Sequence, residues 1–268
     1  MLGGLSWRSA DTIEEGSKVP YRSAQEIEAI ARRVVTAYKK LPALRGRHPN
    51  IIQPELLVYG LLRLSVVYHR LSLNGTILGL TACGEVGVPI YDNPNKPEYY
   101  FLDGNTVLIE KSLTEGASNV GRRHFTLIHE ACHQIFRMLF PEDYMGAIAR
   151  RQIHYCRETT SSRVGDWEEW RTNRLASAVL MPEDMVRENM DAFGLDVPKR
   201  MVNRVFASID YSRFSDMAAY MGVSKKALSI RMKQLGLLKA DYLDDPYALV
   251  NIYPQEDEIY EEDCHGKD

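Results

Sequence analysis

The amino-acid sequence predicts an α+β fold: a mainly helical domain with a small antiparallel sheet, then a small helical subdomain. Three observations predict it. Apolar residues recur at helical spacing in Ile27–Tyr38, Phe125–Phe140 and Trp167–Leu180. Residues 66–110 between the first two runs are rich in β-branched and aromatic residues. Residues 214–236 read as two short helices joined at Gly222-Val223-Ser224.

The elements follow in chain order. Residues 1–22 are a mixed lead-in. Ser23 and Glu26 form a capping box that opens an amphipathic helix, with Ile27, Ile30, Ala31, Val34, Val35 and Tyr38 on one stripe. Pro54 suits the first turn of a second helix running through Ser65. Val66–Tyr68 and Thr76–Leu78 read as strands. Tyr99–Leu102 and Thr106–Ile109, on either side of Asp103-Gly104, read as a tight hairpin with a type I′ turn. The long helix around residues 125–140 comes next. Pro141 to Gly165 is a connection, basic at Arg150, Arg151 and Arg157 and polar at Thr159–Ser162, and reads as a mobile lid or a surface loop with a short helix. His154 and Tyr155 within it read as exposed loop residues, with a role as hydrogen-bond donors near a metal as the less favoured option. Trp167–Leu180 is a helix stopped by Pro182. The expected division is 1–22, 23–194, 195–252 and an acidic tail 253–268 that favours disorder, its Cys264-His265 pair included.

Composition narrows the class. The chain has 268 residues, 45% hydrophobic and 26% charged, which is ordinary for a globular protein with a real core. A net charge of −3 argues against bulk electrostatic binding of nucleic acid. The four cysteines, 83, 132, 156 and 264, make no CxxC pair and no disulfide framework. No apolar leader opens the sequence, and the longest apolar stretch, Leu56–Val67, is interrupted by Arg63 and too short to span a bilayer. The expectation is a cytoplasmic protein without a membrane partner.

The chemistry concentrates at His129-Glu130-Ala131-Cys132-His133, an HExxH pattern. On a helix, residues four apart share one face, so both imidazoles can reach one zinc ion. Glu130 is then placed to take a proton from a water that the metal activates. Three protein ligands are normal for such an ion. The third is expected from the helix 167–180, where Glu169, Asn173, Ala176 and Leu180 share a face. A carboxylate and a carboxamide are odd company for an apolar stripe unless they meet something. Glu169 has a competing role, as the third-position acid of a capping box begun by Asp166. Glu168 is the fallback ligand, on a different face.

Two segments together resemble the ImmA/IrrE family of metallopeptidases. Its members carry a Thr-x-x-His-Glu-x-x-His helix and then a Glu-x-x-Ala-Asn-x-Phe-Ala-x-x-Leu-Leu-Met-Pro helix. Thr126, His129, Glu130 and His133 match the first; Glu169, Asn173, Ala176, Leu180, Met181 and Pro182 match the second. The departures are Cys132 for glycine, Thr172 for alanine, Leu175 for phenylalanine and Val179 for leucine, and none removes a ligand or the base. The resemblance covers about residues 23–189. It implies a zinc endopeptidase with His129, His133 and Glu169 on the metal and Glu130 catalytic. It also implies a substrate: a helix-turn-helix repressor of a mobile element or stress regulon. The other reading is a DNA-binding or protein-interaction regulator working through 214–236, with the zinc site structural. Lys225, Lys226, Arg231 and Lys233 would give that helix pair a basic face. DNA contact is the less favoured, because acidic residues Asp241, Asp244 and Asp245 lie close behind.

Overall fold

A computed structural model describes residues 22–116, 119–145, 152–157 and 167–250. Residues 1–21 of the lead-in, Arg150, Arg151, Thr159–Ser162, Asp166 and the acidic tail lie outside the described residues. The fold is α+β.

Helix α1 (Ala24–Lys39) begins at the expected capping box, with Ser23 and Glu26 satisfying each other's backbone N–H groups. It buries Ile27, Ile30, Ala31, Val34, Val35 and Tyr38. Pro54 starts the next helical segment, but this becomes a π-helix over Leu56–Leu62 and ends three residues before the expected Ser65. The cause is local. Arg63 adopts a left-handed φ of 60°, and the Leu64 N–H reaches back to the Val58 carbonyl. Ser65 is thereby freed to open a strand.

Five strands follow: β1 (Ser65–His69), β2 (Ile77–Ala82), β3 (Glu85–Ile90), β4 (Glu98–Asp103) and β5 (Thr106–Glu110). With β6 (Ile153–Arg157) they make a four-stranded sheet in the order β1-β5-β2-β6 and a separate β3–β4 hairpin. The main sheet is mixed rather than antiparallel, because β1 and β5 run parallel while β2 opposes both β5 and β6. A parallel pair needs a long crossover, and residues 70–105 supply it.

The expected hairpin between Tyr99–Leu102 and Thr106–Ile109 does not form. β4 pairs with β3, and β5 crosses to the main sheet. Burial explains the separation. All five residues of β5 are buried, as suits a central strand covered on both faces. β4 instead has one wet face, with Tyr99 and Phe101 out and Leu102 in. At the turn, Asp103 Oδ1 accepts from the Asn105 N–H and the Thr106 hydroxyl, a side-chain-closed turn rather than type I′.

Helix α2 (Val120–Leu139) lies on one face of the main sheet and the β3–β4 hairpin on the other. Helices α3 (Trp167–Leu180) and α4 (Glu183–Ala192) meet at Met181-Pro182, and α3 packs between α1 and α2. The short parallel pair β7 (Lys199–Val202) and β8 (Leu238–Asp241) brackets α5 (Ser208–Tyr220) and α6 (Lys225–Gln234). These last two helices are the expected pair at 214–236, with Ser224 capping α6. Phe214, Met217, Leu228 and Met232 belong to the same buried cluster as Leu127 of α2 and Leu175 of α3. Gly121 shows how close the junction is. A Cβ there would lie 2.7 Å from the Ser224 nitrogen, so only glycine lets α2 start against the α5–α6 turn. None of the helices among the described residues is long and apolar enough to cross a membrane.

Candidate metal centre

Helix α2 buries its middle, and His129, Glu130 and His133 are each at most 2% exposed. Burying three such groups is costly unless each has a partner. The partner of both histidines comes from the first turn of α3. His129 Nε2 lies 3.3 Å from Glu169 Oε2, and His133 Nε2 lies 3.3 Å from Glu169 Oε1. Glu169 therefore sits where a third ligand is needed, whatever Asp166 does.

These separations suit an ion. Donors placed tetrahedrally at about 2.0–2.1 Å from a zinc-sized ion are about 3.3–3.4 Å from one another. The tautomer of His129 strengthens the case. Its Nδ1–H donates to Asn173 Oδ1 at 3.0 Å, which leaves Nε2 a bare lone pair facing a carboxylate oxygen. Two lone pairs at that distance repel unless a cation lies between them. Both Nε2 atoms are buried and lack an aligned hydrogen bond. The donor set, two imidazoles and one carboxylate, is that of catalytic zinc sites.

The electrostatics agree. Burial, then the neighbouring His154, pushes His133 down to about 3, which keeps it neutral and able to coordinate. Burial alone would raise Glu169, but its contacts with His129 and His133 outweigh that and hold the carboxyl well below the usual range. Glu130 goes the other way. Burial and then the charge of Glu169 raise it well above an ordinary carboxylate, against the pull of the Cys156 N–H.

Glu130 is held by the sheet. The Cys156 N–H of β6 donates to its Oε1 at 3.1 Å, while Oε2 is buried with no protein partner. Gly79 of β2 provides the room. A Cβ there would lie 2.7 Å from Thr126 Cγ2, 2.9 Å from Glu130 Cγ and 3.0 Å from Glu130 Oε1. The β2–β6 register shifts between Ile77 and Gly79, at the same place.

The structure corrects the reading of His154 and Tyr155 as exposed loop residues, while the expected short helix is present at Pro141–Tyr144. His154 is 6% exposed, on β6, and its ring stacks on His133 with centroids 4.2 Å apart. Tyr155 turns the other way and packs on the cluster under the hairpin. Cys156, also on the inner face, joins His129 and Glu130 within 4.8 Å, but burial pushes its thiol far up and keeps it protonated. Residues 153–157 alternate inward and outward, which is a strand signal, but the surrounding arginines gave the segment the look of a loop.

The basic residues of α6 are occupied. Arg231 is 1% exposed, pairs with Glu28 of α1 and donates to the Met181 carbonyl at 2.9 Å. Lys226 pairs with Asp244, Lys233 with Asp241, and Lys225 donates to the Tyr211 hydroxyl. The turn between α5 and α6 is docked on α2, where the His124 ring meets the Gly222 carbonyl at 3.0 Å.

No family model matches this chain, and no curated protein matches it.

Proposed function

We propose that this chain is a zinc-dependent endopeptidase in which His129, His133 and Glu169 hold the ion and Glu130 is the catalytic base. One observation carries the reading: each histidine Nε2 stands 3.3 Å from its own oxygen of Glu169, the spacing of donors around one ion. Zinc, when bound there, polarises a carbonyl and lowers the pKa of water toward about 7.

The remaining steps belong to the chain. Asn173 orients the His129 ring and fixes its tautomer. The Cys156 N–H pins one oxygen of Glu130 and leaves the other to accept a proton. Hydrolysis then balances simply. The water oxygen bonds to the peptide carbonyl carbon, the C–N bond breaks, and Glu130 carries the water's proton to the departing nitrogen.

The substrate class rests on the motif resemblance alone: a helix-turn-helix repressor of a mobile element or stress regulon. Cytoplasmic residence accords with cysteines 83, 132 and 156, all buried and unbridged. The DNA-binding alternative lacks comparable support, since Arg231 serves the core and the lysines of α6 have partners. Co-expression with a helix-turn-helix repressor encoded beside this chain tests the proposal. Chelator-sensitive cleavage of that repressor is expected; an intact repressor, with zinc bound to the enzyme, would overturn it.

A further inference from the structure

The β3–β4 hairpin has a solvent face that the metal centre does not use, on the far side of the main sheet from α2. Its register sets Glu85 opposite Asp103, Gly87 opposite Phe101 and Pro89 opposite Tyr99. Alternate residues of a strand share a face, so all six belong to one side of the hairpin. Phe101 is 78% exposed and Tyr99 70%. The two rings are about 6.8 Å apart along the strand. Gly87 sets the posture of the first. A Cβ there would lie 3.2 Å from Phe101 Cε1, so the ring leans over bare glycine backbone and stays open to solvent on its other side. Exposed apolar patches with a polar rim mark interaction sites. Here the rim is acidic. Residues 85–103 carry Glu85, Asp92, Glu98 and Asp103 against Lys96 alone, with no arginine. Asp92 is paired with His69, but Glu85 and Asp103 form no ion pair among the described residues. The Asn105 N–H holds the Asp103 carboxyl below its usual range, so it stays charged. Like charges directly across a strand pair are unfavourable. Arg137, behind the turn, donates to the Cys83 and Gly104 carbonyls instead.

We propose that this face docks an extended segment of a partner protein in which an arginine stands two residues from an aliphatic side chain. Charge complementarity selects the occupant. The facing carboxylates of Glu85 and Asp103 call for a cation, and the guanidinium both pairs with carboxylates and stacks on an aromatic ring. Its apolar stem covers Phe101. Two residues of extended peptide also span about 6.8 Å, so the side chain two positions on reaches Tyr99 and Pro89. A nucleic-acid strand could stack on the rings, but its phosphates would meet the two carboxylates. A second copy would bring the same acidic face, without an arginine. The sheet separates this surface from the metal centre, so the inference does not depend on peptide hydrolysis.

The test uses the full chain and two dye-labelled, end-blocked peptides. In one, arginine and leucine alternate at every second position with serine between them; in the other, glutamate replaces arginine. Fluorescence anisotropy follows binding at low and at physiological salt, and melting establishes that each variant is folded. The arginine peptide should bind and the glutamate peptide should not. Phe101→Ser and Tyr99→Ser should each weaken the arginine peptide about three- to tenfold, and the two together more. Glu85→Gln should weaken it about threefold and flatten its salt dependence. A folded chain that binds both peptides alike, or neither, would overturn the proposal. So would binding that survives Phe101→Ser combined with Tyr99→Ser. Two other occupants have their own signatures, and either would also overturn it. Self-association in sedimentation that Phe101→Ser abolishes would assign the face to a second copy. Binding of a thymidine oligonucleotide that Phe101→Ser abolishes would assign it to nucleic acid.

Discussion

Replacing Gly79 by alanine should damage the base without touching a metal ligand. The added Cβ would sit 2.7 Å from Thr126 Cγ2 and 2.9 Å from Glu130 Cγ, where ordinary contacts begin at 3.4 Å. The shortfalls are about 0.7 and 0.5 Å, so β2 and α2 must separate or the Glu130 side chain must move. Overpacking of this kind costs about 1–3 kcal/mol. A base displaced by roughly half an ångström or more loses on the order of tenfold to a hundredfold in rate. Thr126→Ser isolates the two effects, because it removes Cγ2 and keeps the hydroxyl. The assay is a double-mutant cycle read by thermal melting, with cleavage rate and zinc content measured on the same samples. Gly79→Ala should melt lower, retain zinc and cleave slowly. Adding Thr126→Ser should restore part of the stability and less of the rate, since the Glu130 contacts remain. A Gly79→Ala protein with unaltered melting and unaltered rate would refute the reasoning that this glycine makes room for the base.

Four further outcomes are expected. Asn173→Ala frees the His129 ring and should weaken zinc binding about 10- to 100-fold by competition with a chelator, with little change in fold; unchanged affinity would deny Asn173 its orienting role. Arg231→Met should cost about 2–3 kcal/mol in denaturant melts, a buried-pair loss discounted because Glu28 is a quarter exposed. Lys225→Glu with Lys226→Glu should leave any DNA affinity at the non-specific level of about 10⁻⁴–10⁻⁶ M, and a loss of tighter, salt-dependent binding would revive the DNA reading. Burial would raise Asp241, but the hydrogen bonds from Lys233 and Ser229 outweigh it and lower its pKa. Its contribution to stability is therefore present above the unfolded value of about 3.9 and lost as pH falls through the lower folded value. Asp241→Asn should flatten the stability profile in that acid range and leave it parallel above it.

The helices were the legible part of this sequence. α1 and α3 carry their boundaries in Ser23, Glu26 and Pro182, and their buried stripes in 3.6-residue spacing, so local chemistry suffices to place them. The meeting of His129, His133 and Glu169 was legible for the same reason: i, i+4 spacing sets the histidines on one face, and the Glu169–Asn173 pair interrupts an apolar one. Strand pairing was not legible, because it depends on partners distant in the chain. Tyr99–Leu102 and Thr106–Ile109 look like one hairpin until burial separates a two-sided strand from a one-sided one. His154 was hidden by its neighbours. Its strand gains its inward face only by pairing with β2, some seventy residues earlier. The room at Gly79 was equally invisible, since a glycine in a strand does not say what approaches it.

The central claim is that Glu130 moves a proton beside an ion held by its neighbours. Zinc content and repressor cleavage measured together on Glu130→Gln test it most directly, because the substitution keeps the shape and removes the proton acceptor. A folded protein with about one zinc per chain and no cleavage is expected. A Glu130→Gln enzyme that cleaves at the unsubstituted rate, or a folded unsubstituted chain that binds no divalent ion, would contradict it.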